Sequence, residues 1–181
     1  DVAANRAVGQ LHRVELPGGQ TRRLTRGIAD GGPQLSPDGS TVAFFRGDDR
    51  ARRQVFAVDA VGGEAVQVTD APLGVIDFRW APEGSRIAFI ARVPERGRYG
   101  TVDGLDAAAE SPRRVTALRW HSNGLGYTAD RPGHVFIVDV PQVGDEPPYP
   151  AAPHAAGEGT PAPKVTSPTR ALTSGKRSHE A

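Results

Sequence analysis

Apolar positions along the chain fall into two recurring phrases, each closed by a turn or by a short polar segment. In the first phrase, Gly32 to Phe45 aligns with Asp77 to Ile90 at an offset of 45 positions. A shorter copy, Leu118 to Tyr127, sets Trp120 opposite Trp80 at an offset of 40. The second phrase is a strand-like run at Gln10 to Leu16, Gln54 to Ala60 and His134 to Val140. Each run is followed by a segment that ends in Leu24-Thr25, Val68-Thr69 or Leu172-Thr173. A two-phrase unit repeating every 40 to 45 residues has the size of a four-stranded propeller blade.

The turns supply the mechanism. In Ser36-Pro37-Asp38-Gly39, proline sets φ at the first central position and glycine closes the turn, so the flanking apolar runs become a hairpin. Ala81-Pro82-Glu83-Gly84 repeats it, and Asn123-Gly124 substitutes a dipeptide that tolerates positive φ. The runs Val42 to Phe45, Val55 to Val58, Ile87 to Ile90 and Val135 to Val138 are apolar on both faces and need cover on two sides. Radially stacked blades provide it. The polar, arginine-bearing Thr21 to Thr25 suits an outer strand.

The expected fold is therefore all-β, a partial β-propeller of about three four-stranded blades plus a half blade. Residues 1 to 181 read as one incomplete propeller domain. The half blade spans 10–25 and a full blade 31–69. An eroded blade spans 75–112, and a third blade, 115–173, is interrupted by an insertion from Pro141 to Arg170 that holds 8 of the 16 prolines. The stretch Asp103 to Glu110 is expected to form one helical turn. Trp80 and Trp120, each preceded by an arginine (Arg79, Arg119), occupy one repeated position and are expected to pack between blades.

Composition narrows the function classes. With 22 basic against 21 acidic residues the net charge is +1, so no surplus draws the chain to nucleic acid or to an anionic membrane. There are no cysteines, which excludes disulfides and thiolate metal sites and leaves the cytoplasm as the default compartment. No apolar run reaches 18 residues, and Asp1 to Arg6 lacks the basic-then-apolar order of a secretory signal. The chain holds no methionine and starts on Asp1; it is expected to be a piece of a longer polypeptide.

Candidate chemistry is sparse. His121 takes the turn position of Ser36 and Ala81 and reads as a solvated turn residue rather than a general base. His12 and His134 fall on strands, His154 and His179 in polar loops, and no pair has ligand spacing, so neither metal nor cofactor is expected. Asp103, Asp106 and Glu110 read as solvated acids. Arg22, Arg23 and Arg26, with Arg50, Arg52 and Arg53, have Asp30, Asp48 and Asp49 nearby and read as a mixed-charge rim. No catalytic residue is assigned.

The phrase Pro33 to Gly39 with Val42-Ala43-Phe44 resembles the blade signature of TolB-like propellers and of the N-terminal propellers of prolyl oligopeptidase family serine peptidases. The line Leu118 to Tyr127, continuing through Thr128 to Val140, resembles bacterial acylaminoacyl or dipeptidyl peptidases of that family. The resemblance covers residues 10 to 140 and resumes at Arg170. It implies a propeller of about seven blades capping an α/β-hydrolase domain with a Ser-Asp-His triad. The remaining blades, that domain and a peptide substrate would be the partners. No G-x-S-x-G elbow occurs in this sequence, so the family's catalytic residues have no positions here. Two functions follow from the resemblance: a gating, substrate-selecting propeller segment of a peptidase, or a TolB-like propeller that binds a protein partner without catalysis. A fragment without independent activity is the third reading.

Overall fold

The computed structural model describes residues 8–48, 51–102, 104–116, 118, 120–144 and 167–175. It is an all-β structure of small antiparallel sheets of two to four strands in an open, propeller-like arrangement.

β1 (His12–Val14) pairs with β2 (Thr21–Arg23). The first four-stranded sheet is a meander of β3 (Gly31–Leu35), β4 (Thr41–Gly47), β5 (Arg53–Asp59) and β6 (Val66–Gln67). The second contains β7 (Val75–Trp80), β8 (Arg86–Arg92), β11 (Gly133–Asp139) and β12 (Thr169–Ala171). Between β8 and β11, β9 (His121–Ser122) and β10 (Gly126–Tyr127) form a separate two-stranded ladder. A 3-10 turn at Ala107–Ala109 is the helical turn expected in that stretch.

This pairing differs from the expected division into an eroded blade at 75–112 and a third blade at 115–173. β8 and β11 pair over seven consecutive residues, from Gly133↔Arg92 to Asp139↔Arg86, so strands assigned to two blades share one sheet. Residues 93–132 are an excursion between its second and third strands. Four-stranded sheets therefore number two among the described residues, not three. The copy at 118–127 matches the turn phrase in sequence, but its flanks are too short to bury a strand, and the seven-residue ladder wins.

Alternation along β4 and β5 explains the layering. Ala43, Val55, Ala57 and Val68 point to one side and pack with Val75, Phe78, Ile87, Phe89 and Val138 of the second sheet. Val42, Phe44 and Val58 point to the other side and pack with Leu11 and Leu24 of the β1–β2 segment. β4 and β5 are thus covered on both sides, as strands with two apolar faces require. Rings reinforce the repeat: Phe44 and Phe56 pair at 6.3 Å, and their counterparts Phe89 and Phe136 stack at 5.3 Å.

Candidate functional site

Three hydrogen-bonded devices hold the repeat among the described residues. The first is the turn. Gly39 N donates to Ser36 O and Gly84 N to Ala81 O, both at 2.9 Å, with Gly39 at φ +77° and Gly84 at +75°. Pro37-Asp38 and Pro82-Glu83 sit at the turn centres. Asp38 accepts from Ser36 Oγ at 2.6 Å and from the Ser40 hydroxyl and amide at 2.8 and 3.2 Å. Those bonds hold its carboxyl at about 2. At Asn123-Gly124 the turn is closed by Leu125 N donating to Ser122 O at 3.0 Å. Only Gly124, at φ +76°, is left-handed there.

The second device is the seam between the sheets. Trp80 Nε1 donates to Gln34 O at 3.1 Å, and Gln34 Nε2 donates back to Phe78 O at 2.9 Å. Phe45 meets the edge of Phe78 at 4.9 Å, and the Arg53 guanidinium lies 4.2 Å from the Phe45 ring centre. Trp120 does not share this role. It is 41% exposed, and its ring pairs with those of His121 and Tyr127 in its own ladder. The inter-blade assignment thus describes Trp80 and not Trp120, because 118–127 lies in the excursion, outside the sheets.

The third device is a threonine clasp, present three times among the described residues. Leu24 N, Val68 N and Leu172 N each donate at 2.8 Å to the carbonyl of Leu11, Val55 and Val135. The next residue's hydroxyl accepts from the same partner's amide: Thr25 from Leu11 at 3.1 Å, Thr69 from Val55 at 2.9 Å and Thr173 from Val135 at 3.0 Å. The apolar-Thr pairs are visible in the sequence. Their function as clasps is not, since the partner lies 14 residues away in two cases and 38 in the third.

Several of the described charged groups gather in two regions. Asp30, with a buried carboxylate, takes two bonds from Arg46 at 2.7 and 2.8 Å. Burial pushes its carboxyl up, but the bonds from Arg46, Thr25 and Gly27 outweigh that and leave it below the usual value. Arg52 bridges Asp48 at 2.6 Å and Asp70 at 3.3 Å. Arg22 and Arg23 lie on β2 at the rim, while Arg23 and Arg26 line a cleft of about 940 Å³ with Arg46, Asp48 and Glu64. Arg50, Asp49, Asp103, His154 and His179 lie outside the described residues.

The second cluster is in the excursion. Asp130 accepts from Tyr99 Oη at 2.6 Å and Arg113 Nε at 2.7 Å. Glu110 accepts from Arg113 at 3.0 Å, and its side chain is 9% exposed. It is therefore a buried network member, not the solvated acid expected; Asp106 instead caps the 3-10 turn through Ala108 N at 2.8 Å. Burial, then the bond to Asp130, pushes the Tyr99 hydroxyl up. Asp130 likewise raises Arg113. Tyr99 and Arg113 attracted no notice in the sequence, since neither lies in a repeated phrase.

Among the described residues no group of three His, Asp or Glu side chains is placed to hold a metal ion, and every buried side-chain polar atom has a partner. The arrangement binds strands together and presents rims and clefts.

The chain matches no family model. It is 29% identical over 108 residues to the uncharacterized peptidase YuxL of Bacillus subtilis and 27% identical over 117 residues to dipeptidyl-peptidase 5 of Porphyromonas endodontalis. These matches cover 60% and 61% of this chain but 16% of each relative. Its fold is that of part of the acylaminoacyl peptidase of Pyrococcus horikoshii, with a TM-score of 0.58 and 16% identity over 77% of this chain and 20% of that one. The chain thus resembles an all-β, propeller-type domain related to prolyl-oligopeptidase-family peptidases, with the blade signature of TolB-like propellers.

Proposed function

We propose that the chain is a gating and substrate-selecting propeller segment of a cytoplasmic serine peptidase that acts on short peptides, its bond-breaking residues lying outside this sequence. The observation that carries the reading is the pair of sequence matches to two peptidases from different bacteria, on a chain that has no G-x-S-x-G elbow. An open stack of sheets that presents clefts suits a steric filter, the passage being completed by further blades and the acyl transfer belonging to residues outside this sequence.

The test takes the coding region adjoining this segment and the polypeptide it specifies. That polypeptide should contain an α/β-hydrolase tract with a serine elbow, be labelled there by a fluorophosphonate and cleave short peptides in preference to folded proteins. This 181-residue chain alone should stay unlabelled. Further blades followed by a stop codon would overturn the peptidase reading and leave the TolB-like binding propeller. Labelling of the 181-residue chain would overturn both.

A further inference from the structure

The residue at the head of each sheet's third strand grips the clasp with a two-pronged side chain. In the first sheet it is Gln54. Its carbonyl oxygen accepts from Thr69 Oγ1 at 2.9 Å and from Ala71 N at 3.0 Å, while its Nε2 donates to Ala71 O at 2.9 Å. In the second sheet the equivalent residue is His134, buried like Gln54. Its Nδ1 lies 3.3 Å from Thr173 Oγ1 and its Nε2 2.9 Å from Gly175 O. Thr173 stands where Thr69 stands, and Gly175 where Ala71 stands.

In the neutral ring the bonds define the tautomer. A carbonyl oxygen only accepts, so Nε2 carries the proton and Nδ1 is a lone pair that takes the Thr173 hydroxyl proton, the part Gln54 Oε1 plays for Thr69. Thr173 Oγ1 is in turn the acceptor for Val135 N at 3.0 Å. Placing a proton on Nδ1 turns a donor toward this hydroxyl and strips the Thr173 proton of its acceptor.

We propose that His134 makes the second-sheet clasp a proton-sensitive latch, closed while Nδ1 accepts from Thr173 and loosened when Nδ1 is protonated, whereas the first sheet's clasp is held by the amide of Gln54, which carries no titrating proton and whose Nε2 also donates to the Asp48 carboxylate at 3.4 Å. Loosening would free β12 and Leu172 to Gly175, the outer edge of the sheet. The proposal rests on the clasp geometry and not on the peptidase reading. Of the charged groups on the elements around the ring, Glu95 and Asp130 line the same cleft, and Asp130 is bonded to Tyr99 and Arg113. Arg131 reaches the carbonyls of Tyr127 and Leu125. Arg92 follows Ala91, the ladder partner of His134, and so lies on the alternate face of β8.

Amide-resolved hydrogen exchange on the full 181-residue chain, corrected for intrinsic exchange, tests the latch. Between about pH 8 and about pH 5, protection at Val135, Leu172 and Thr173 should fall about tenfold, the effect of losing one net hydrogen bond. Protection at Val55, Val68 and Thr69 should hold. His134→Gln, which installs the first sheet's amide, should abolish the fall. A flat profile in the wild type overturns the proposal, as does an equal fall in His134→Gln, which would point to Glu95 or Asp130 instead. If that variant does not fold, the ring nitrogen shifts of His134 decide: a proton on Nδ1 rather than Nε2 in the neutral ring overturns it.

Discussion

The carboxylate of Asp38 gathers the hydroxyls of Ser36 and Ser40 and the Ser40 amide, and those donors lower its pKa from 3.8 to about 2. A group whose pKa is depressed on folding contributes stability that is complete above its unfolded value and lost as pH falls through the folded one. The loss at Asp38 therefore belongs between about pH 4 and about pH 2. Asp38→Asn should remove this component of the acid transition, seen by comparing denaturation midpoints of the two proteins at both ends of that window; parallel curves would exonerate the carboxylate. Thr69 is a second single-residue test. Its fully buried hydroxyl donates to Gln54 and accepts from Val55. Thr69→Val should cost about 1–3 kcal/mol by stranding both partners, and Thr69→Ser, which keeps the hydroxyl, clearly less in the same denaturant titration.

Between elements, the seam is the unit that matters. Trp80→Phe keeps most of the ring area but deletes the donor to Gln34 O, so it should cost about 1 kcal/mol beyond the loss of ring area. Combining it with Gln34→Ala should cost less than the sum of the two single changes, because both sit in one reciprocal contact. The Gln34→Trp80 relation spans 46 residues, near one repeat period, which is why the repeat pointed to Trp80 at the blade boundary. The strands β3 to β6 were equally legible, since their turns, apolar runs and Val-Thr ending follow one another without interruption. Legibility ended where local phrase and long-range ladder disagreed. Leu118 to Tyr127 carries the turn phrase, yet β11 finds its seven partners on β8, across a 40-residue excursion. Local pattern carries no information about which of two compatible edges a strand will choose. The Tyr99, Glu110, Arg113 and Asp130 network was invisible for a related reason: its members are scattered over 32 positions and no periodicity links them.

At the scale of the whole molecule, the two sheets use equivalent positions differently. On the first sheet Ala43, Val55, Ala57 and Val68 are fully buried by the second. Their counterparts Ala88, Val135, Ile137 and Leu172 form the second sheet's far face, where the first three are half-buried and Leu172 is 48% exposed. Among the described residues no further sheet covers that face. A contiguous apolar face of this kind drives association, so the 181-residue chain should self-associate with rising concentration in sedimentation velocity. Lysine substitutions at paired positions separate burial from association. Ala57→Lys puts an unpaired charge between the sheets and should abolish cooperative unfolding. Ile137→Lys, at the equivalent site on the open face, should change stability by no more than about 0.5 kcal/mol while shifting the sedimentation profile toward monomer. A wild-type chain that stays monomeric at all concentrations would show the far face to be covered, and Ile137→Lys unfolding the protein as Ala57→Lys does would locate that cover within the chain itself.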